Sequence, residues 1–325
     1  MKIAFFDTKS YWVDSFGPLA EKYGFEIKFF DERLTPATAK LAAGFDATCS
    51  FVNDELPAEV VKELKNLGIK VLLLRCAGFD SVDLDVAKEC GLPVLRVPAY
   101  SPQSVAEQGV ALLMAVNRMT HQSYARTTKF NFNISGLTGV ALYGKTAGII
   151  GTGKIGQCMI NILKGFGMNI IAYDAFPNDK LGLEYVTLDE LYARADVISI
   201  HCPLMPATRH MINADAIAKM KDDVIFINVA RGGLVDSEAL ADALEAGKFR
   251  GVGVDVCEKE HEYFFEDCTA APKDPTLARM LACPRFLISG HQAFLTVDAL
   301  NAIAEITLDN AKAFVEGAEL VNEVK

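Results

Sequence analysis

Arg231, Glu260 and His291 are three residues whose types suit one reaction and whose settings match. Arg231 follows the apolar run Val224–Val229 and stands beside Gly232 and Gly233. Glu260 closes Asp255-Val256-Cys257-Glu258-Lys259-Glu260 after a second apolar run, and His291 follows Ser289-Gly290 after a third. Each reads as the end of a strand, and open α/β sheets bind ligands beyond the carboxyl ends of their strands. Arg can clamp a carboxylate through two parallel charge-assisted hydrogen bonds. His is the natural proton donor to a carbonyl oxygen, and a nearby Glu orients the ring and favours its charged form. Taken singly, each has a plain alternative: a surface cation, one member of a charge run, a hydrogen-bonded loop histidine. Together they form a working set for carbonyl reduction.

Such a reduction needs a hydride source, and one is signalled upstream. Gly151-Thr152-Gly153-Lys154-Ile155-Gly156 follows the apolar run Thr146–Ile150 and precedes a helical pattern from Gln157 to Gly165. Gly151 suits a tight turn, Gly153 a close approach of backbone to a pyrophosphate, and Gly156 close packing of helix on strand. The helix N-terminus offers N–H groups and a positive dipole end to phosphate. Asp174 ends the next apolar run, Met168–Tyr173, where a carboxylate would accept hydrogen bonds from ribose hydroxyls and repel a 2′-phosphate. Ala175-Phe176-Pro177-Asn178 supplies no Arg for such a phosphate. The cofactor expected is therefore NAD rather than NADP. A plain turn and a solvated strand-end Asp are the alternatives.

The elements that must position these residues alternate from one end of the chain to the other. Strands are expected at Lys2–Phe6, Glu26–Phe30, Ala47–Phe51, Val71–Arg75 and Val94–Arg96. A second series runs Gly148–Ile150, Asn169–Tyr173, Val197–His201, Val224–Val229, Gly251–Val256 and Phe286–Ser289. Helical patterns such as Pro57–Leu67 and Leu84–Glu89 lie between strands. Alternation of this kind implies parallel sheets covered on both faces. Pro98 and Pro102 break the chain near Val97–Pro102. One long helix is expected from Ser104 to Lys129, and its apolar positions suggest a subunit interface. A last long pattern, Val297–Glu316, is placed to return to the first domain. The expected architecture is two doubly wound parallel-sheet domains. One is a Rossmann-type NAD domain over residues 101–294. The other is a flavodoxin-like substrate domain over residues 1–100 and 295–325, with an active-site cleft between the two.

Composition narrows the classes. A chain of 325 residues, 51% hydrophobic and 23% charged, reads as a globular enzyme of about two domains. The net charge of −10, with no basic stripe, argues against a nucleic-acid surface. No apolar stretch approaches the roughly 18–20 residues that span a bilayer, and Met1–Asp7 reads as a strand rather than a signal peptide. The eight cysteines form no C-x-x-C pair and have no closely spaced His partners. They read as reduced thiols in a cytoplasmic protein, with no metal site.

The chain resembles the D-isomer-specific 2-hydroxyacid dehydrogenases along essentially its whole length, nearest to their fermentative D-lactate branch. The resemblance is carried by Leu74–Leu84, Arg96–Pro102, the glycine motif, Asn228–Gly233, Phe264-Phe265-Glu266-Asp267 and Gly290–Thr296. The family commonly has Pro before the reacting His; Gly290 stands here, as in the lactate branch. The resemblance implies reversible reduction of pyruvate to D-lactate, with Arg231 binding the substrate carboxylate, His291 as acid/base and Glu260 as its partner. It implies backbone N–H groups of Ala77 and Gly78 as further carboxylate donors, with Tyr100 and Phe294 bordering the substrate. On the cofactor side it implies Lys154, Ile155, Asp174, Cys202, Pro203, Thr208, Val229 and Ala230, with Asp255 near the nicotinamide amide. A homo-oligomer, dimer or tetramer, is also implied. His201 is expected to be structural, and His121, His210 and His261 surface or supporting residues. A sister enzyme for a bulkier or differently charged 2-oxo acid, and an NAD-sensing scaffold, are the rival readings.

Overall fold

The structure, a computed structural model, describes residues 1–260, 263–270 and 274–324; His261 lies outside them. In chain order the strands are β1 (Lys2–Phe5), β2 (Glu26–Phe29), β3 (Ala47–Ser50), β4 (Val71–Leu74), β5 (Val94–Leu95), β6 (Thr146–Ile150), β7 (Asn169–Tyr173), β8 (Glu184–Tyr185), β9 (Val197–Ile200), β10 (Val224–Asn228), β11 (Phe249–Val254) and β12 (Phe286–Ile288). The helices are α1 (Ser10–Tyr23), α2 (Ala58–Asn66), α3 (Leu84–Glu89), α4 (Pro102–Arg118), α5 (Thr120–Thr127), α6 (Lys154–Gly165), α7 (Leu188–Arg194), α8 (Ala214–Lys219), α9 (Ser237–Glu245), α10 (Pro275–Ala282) and α11 (Val297–Glu316). Two compact units result: Met1–Ser101 with Leu295–Lys325, and Pro102–Phe294.

In the first unit all pairings are parallel and the strand order is β2-β1-β3-β4-β5. Strands β3 and β4 are buried at every position, which is why β4, Val-Leu-Leu-Leu, is a continuous apolar run rather than an alternating one, while β3 buries the small Thr48 and Ser50. Helix α11 starts at Thr296, whose side chain accepts from the Ala299 N–H, and stops at Gly317 in a left-handed conformation. It packs against α1 and β4. Asn310 Nδ2 on this helix donates to the Arg96 carbonyl at 2.9 Å.

The second unit has seven parallel strands in the order β12-β11-β10-β9-β6-β7-β8. The order reverses beside β6, where an open α/β sheet places its ligand crevice. The short edge strand β8 was not expected. Residues Glu184 and Tyr185 are too few to carry a periodic signal. Strand β10, Val-Ile-Phe-Ile-Asn, is wholly buried. Helix α4 packs on β10, β11 and α6. A Cβ on Gly253 would come within 2.9 Å of Leu112 Cβ, so the helix lies unusually close to the sheet.

Two helix expectations need correction. The segment Ser104–Lys129 is not one helix: Met119 takes φ +47 and separates α4 from α5. The cause is loss of the apolar stripe. Helix α4 buries Val105, Leu112, Leu113 and Val116, whereas α5 buries nothing, so no packing energy offsets a continued rigid rod. The helix after the glycine turn begins at Lys154, not Gln157.

Candidate active site

The carboxyl ends of six strands in the second unit fall on one row. Tyr173 pairs with Ile150, Ile150 with Ile200, Ile200 with Asn228, Asn228 with Val254, and Val254 with Ile288. The residues that step off this row are Asp174, Gly151, His201, Val229, Asp255 and Ser289. Strands lie about 4.8 Å apart, so the row spans roughly 24 Å. Asp174 marks one end, and Ser289, two residues before His291, the other.

Gly151 makes its turn at φ +96, and a Cβ there would sit 2.7 Å from the His201 carbonyl carbon. A Cβ on Gly156 would press into the Gly151 carbonyl oxygen. Gly153 is the reverse case: a Cβ there meets nothing within 4 Å, and no side chain caps α6. The turn therefore leaves open space at a helix N-terminus with unfilled N–H groups, which fits a pyrophosphate. Asp174 Oδ2 accepts from Thr152 N–H at 2.7 Å and Thr152 Oγ1 at 2.8 Å; Oδ1 accepts from Phe176 N–H at 2.9 Å. Partial burial opposes the charge, but these bonds hold the carboxyl below its usual range. A carboxylate has about four lone-pair positions, so capacity remains for ribose hydroxyls. Tyr185 Oη, 3.0 Å from Thr152 Oγ1, completes the cluster. Lys154 is exposed, Ile155 half-buried. The residues present fit NAD. Asp174→Ala is expected to lower the preference for NADH over NADPH by about tenfold. An unaltered ratio of kcat/KM values would remove Asp174 from ribose recognition.

Beyond β9 the chain lies against the glycine turn. His201 is half-buried, with Nε2 2.9 Å from Ser199 Oγ, and desolvation of its ring pushes its pKa down to about 4. It is neutral at neutral pH and unsuited to donate a proton. Burial likewise raises the Cys202 thiol to about 11. Thr208 Oγ1 donates to the Pro203 carbonyl at 2.8 Å and accepts from Met205 N–H at 2.8 Å, stapling this loop.

Arg231 follows β10 on a turn tied by buried Asn228, whose Oδ1 accepts from Ala230 N–H and whose Nδ2 donates to the Arg231 carbonyl. Arg231 Nη1 donates to the Ala230 carbonyl at 2.8 Å, which anchors one arm of the guanidinium fork. Val229 is buried and Ala230 half-buried. Gly232 is obligatory: a Cβ would lie 2.1 Å from the Cys257 carbonyl. That contact brings the Arg231 turn onto the loop bearing Glu260.

His291 Nδ1 lies 2.9 Å from Glu260 Oε1, and both side chains are largely buried. The pairing leaves Nε2 for chemistry. His291 has φ +52, a conformation that stores strain, and Asp255 holds it. Asp255 is fully buried; Oδ1 accepts from Ser289 Oγ at 2.5 Å and Gln292 N–H at 3.0 Å, and Oδ2 from Ala293 N–H at 2.8 Å. Burial pushes its carboxyl up against the pull of these donors. Its side chain thus ties down the turn that carries His291. Three phenyl rings flank the imidazole: Phe264 at 6.4 Å, Phe265 at 6.1 Å and Phe294 at 6.5 Å between centroids.

In the first unit, Ala77 and Gly78 follow β4. Among the described residues neither backbone N–H has an acceptor. Arg96 Nη1 donates to the Ala77 carbonyl at 2.8 Å, and Cys76 Sγ to the Gly78 carbonyl at 3.2 Å. Arg75 behind them is fully buried, donating to the carbonyls of Phe6 and Asp7. Phe51 packs on Arg75 and Trp12. Tyr100 is half-buried. Asn228, Tyr185, Arg75 and Arg96 were not singled out from sequence, since hydrogen bonds to main-chain atoms leave no spacing signal. Among the described residues no His/Cys/Asp/Glu group could hold a metal, and no helix is long and apolar enough to cross a membrane.

Residues 110–293 match the NAD-binding domain of the D-isomer-specific 2-hydroxyacid dehydrogenases. A D-lactate dehydrogenase of Escherichia coli is 48% identical over the full length of both chains. The apo-structure of D-lactate dehydrogenase from that organism superposes with TM-score 0.92 over the full length of both chains at 46% identity. A pyruvate reductase of Chlamydomonas reinhardtii gives TM-score 0.94 over 99% of this chain and 98% of the other, at 44% identity. With an NAD-shaped turn at one end of its strand row and a buried His–Glu pair near the other, this chain belongs to the D-isomer-specific 2-hydroxyacid dehydrogenases and is an NAD-dependent oxidoreductase acting on a small molecule.

Proposed function

We propose that the enzyme reversibly reduces pyruvate to D-lactate. The observation that carries this reading is the His291–Glu260 pair, 2.9 Å apart, in a chain similar throughout its length to D-lactate dehydrogenases. NADH, when bound, supplies the hydride that the substrate's C2 accepts. Arg231 grips the substrate carboxylate, and the free amides of Ala77 and Gly78 are further donors to it. His291 Nε2 gives its proton to the carbonyl oxygen as C2 is reduced, and regains one from water afterwards. Glu260 holds the ring through Nδ1 and neutralises the imidazolium; in the oxidative direction His291 takes the hydroxyl proton instead. Asp255 keeps the strained loop in place. Phe294 and Tyr100 border the substrate, and Cys202, Pro203, Thr208, Val229 and Ala230 border the cofactor. Turnover of a panel of 2-oxo acids with NADH and NADPH, with product chirality determined, tests the assignment. If pyruvate fails while a bulkier 2-oxo acid reacts well, the lactate reading falls and the class stands. Turnover with no 2-oxo acid at ordinary rates, ~1–10³ per second, would favour an NAD-sensing scaffold.

A homo-oligomer is part of the same reading. The segment after α4 exposes the large apolar side chains Tyr124, Phe130, Ile134 and Tyr143, with Phe130 at 89% and Ile134 at 80%, and a concentration of such residues in one stretch of chain favours an association surface. Sedimentation at micromolar protein is expected to give at least twice the chain mass of 35.3 kDa. A single species at the chain mass would refute this. None of the eight cysteines is in a disulfide, which suits a reducing cytoplasm that cell fractionation would check.

A further inference from the structure

Glu258 is a carboxylate that the reaction leaves unused, two residues before Glu260. Its Oε1 lies 2.5 Å from His210 Nε2 and accepts from Arg209 Nη2 at 3.2 Å. Both donors belong to the loop that also carries Cys202, Pro203 and Thr208. That loop meets the Arg231 turn as well. His210 N–H donates to the Gly233 carbonyl at 2.9 Å, and a Cβ on Gly233 would lie 3.0 Å from Leu204 Cδ2. Gly232, in turn, sits against the backbone of Cys257 and Glu258. Three segments therefore converge on Glu258: the cofactor-side loop, the turn that aims Arg231, and the loop that presents Glu260. His210 is held at φ +49, a strained main chain with one hydrogen bond from its ring and one from its N–H. The side chain of Glu258 is only 23% exposed, and that of His210 36%. The neighbouring charges are engaged elsewhere: Lys259 Nζ is 2.7 Å from Asp274 Oδ2, and Glu260 faces His291.

We propose that Glu258 is a positioning residue, a latch that ties the 202–211 loop to the Arg231 turn and the Glu260 loop through His210 and Arg209. Glu258 touches neither the reacting pair nor the place where the pyrophosphate fits. It acts by keeping the cofactor-side loop and the substrate-side turn in register, so that one cannot loosen without the other. The kinetic part of this inference rests on the proposed dehydrogenase reading; the structural part does not.

The test uses the full-length enzyme and the variants Glu258→Gln, His210→Asn and the double variant. Asn is chosen because it tolerates left-handed backbone as His does but is too short to reach Glu258. Hydrogen exchange on the apo protein is expected to show amides of residues 203–211 opening about three- to tenfold faster in Glu258→Gln, with strand β10 unchanged. Titration with NADH is expected to show Kd raised by a similar factor of about three to ten. In turnover, KM for NADH and for pyruvate rises while the pH dependence of kcat stays in place, because the His291–Glu260 pair is intact. The double variant is expected to be no worse than Glu258→Gln alone, since both changes break the same contact. Unchanged exchange and NADH affinity, or effects of the two single changes that simply multiply, would overturn the latch. Should the wild-type enzyme reduce no 2-oxo acid, the functional reading falls, and exchange and NADH binding still decide the latch.

Discussion

Replacing His291 by alanine is expected to lower kcat for pyruvate reduction by roughly 10²–10⁴-fold, with NADH affinity close to wild type. The Glu260 contact occupies Nδ1, so Nε2 is the proton-bearing atom available to the substrate. Among the described residues, the rings that flank it, Phe264, Phe265 and Phe294, carry no exchangeable proton, and His201 is neutral at neutral pH. One complication comes from the backbone. At φ +52 alanine is strained where histidine is tolerated, so part of the loss in His291→Ala could come from a shifted loop. His291→Asn separates the effects, because Asn accepts left-handed backbone but cannot act as the acid. Single-turnover measurements with both variants make the comparison. Activity within tenfold of wild type in the Asn variant would remove His291 from the proton transfer.

The second large effect is expected at Arg231, where substitution by lysine should raise KM for pyruvate by about 10–100-fold. A carboxylate accepts two parallel N–H bonds from a guanidinium fork, and an ammonium presents a point charge instead. The structure makes that fork expensive to replace. Asn228 ties the main chain on both sides of Ala230, Nη1 is anchored on the Ala230 carbonyl, and Gly232 lies flat against Cys257. A lysine on this rigid turn cannot shift to recover the second bond. Inhibition by a non-reacting carboxylate analogue should weaken in parallel, which locates the loss in binding rather than in the hydride step. An unchanged KM and an unchanged inhibition constant would place the substrate carboxylate elsewhere.

Much of the scaffold could be read from local pattern, because local physics specifies it. Buried parallel strands favour unbroken apolar runs, and Val71–Leu74 and Val224–Ile227 are such runs. Left-handed caps and close approaches demand glycine, and Gly151, Gly156 and Gly317 supply it. The extent Val297–Glu316 of the last helix follows from a Thr cap at one end and a Gly at the other. Where the pattern misled, the missing term was tertiary. Residues after Val116 keep helix-compatible types, yet nothing packs on Thr120–Thr127, and the rod breaks at Met119. The two-residue strand β8 forms only because β7 offers an edge beside it.

For the site, residue type signalled the NAD turn and suggested the roles proposed for Arg231, Glu260 and His291, since few side chains can clamp a carboxylate, donate a proton near neutral pH or leave a helix N-terminus open. Which groups support them was decided by the fold. Asp255 reads only as a strand-end acid, and its neighbours in space bury it and turn both oxygens onto Ser289, Gln292 and Ala293. Glu258 looks like one more charge in an acidic run until β9 and β11 bring Arg209 and His210 against it. Thr152, Tyr185 and Asp174 meet across three chain segments. Periodicity, turn chemistry and the reactivity of single side chains are properties of short stretches and are written there. The pairing of donors with acceptors 22 to 49 positions apart depends on strand order and loop packing, and exists only once the sheet has formed.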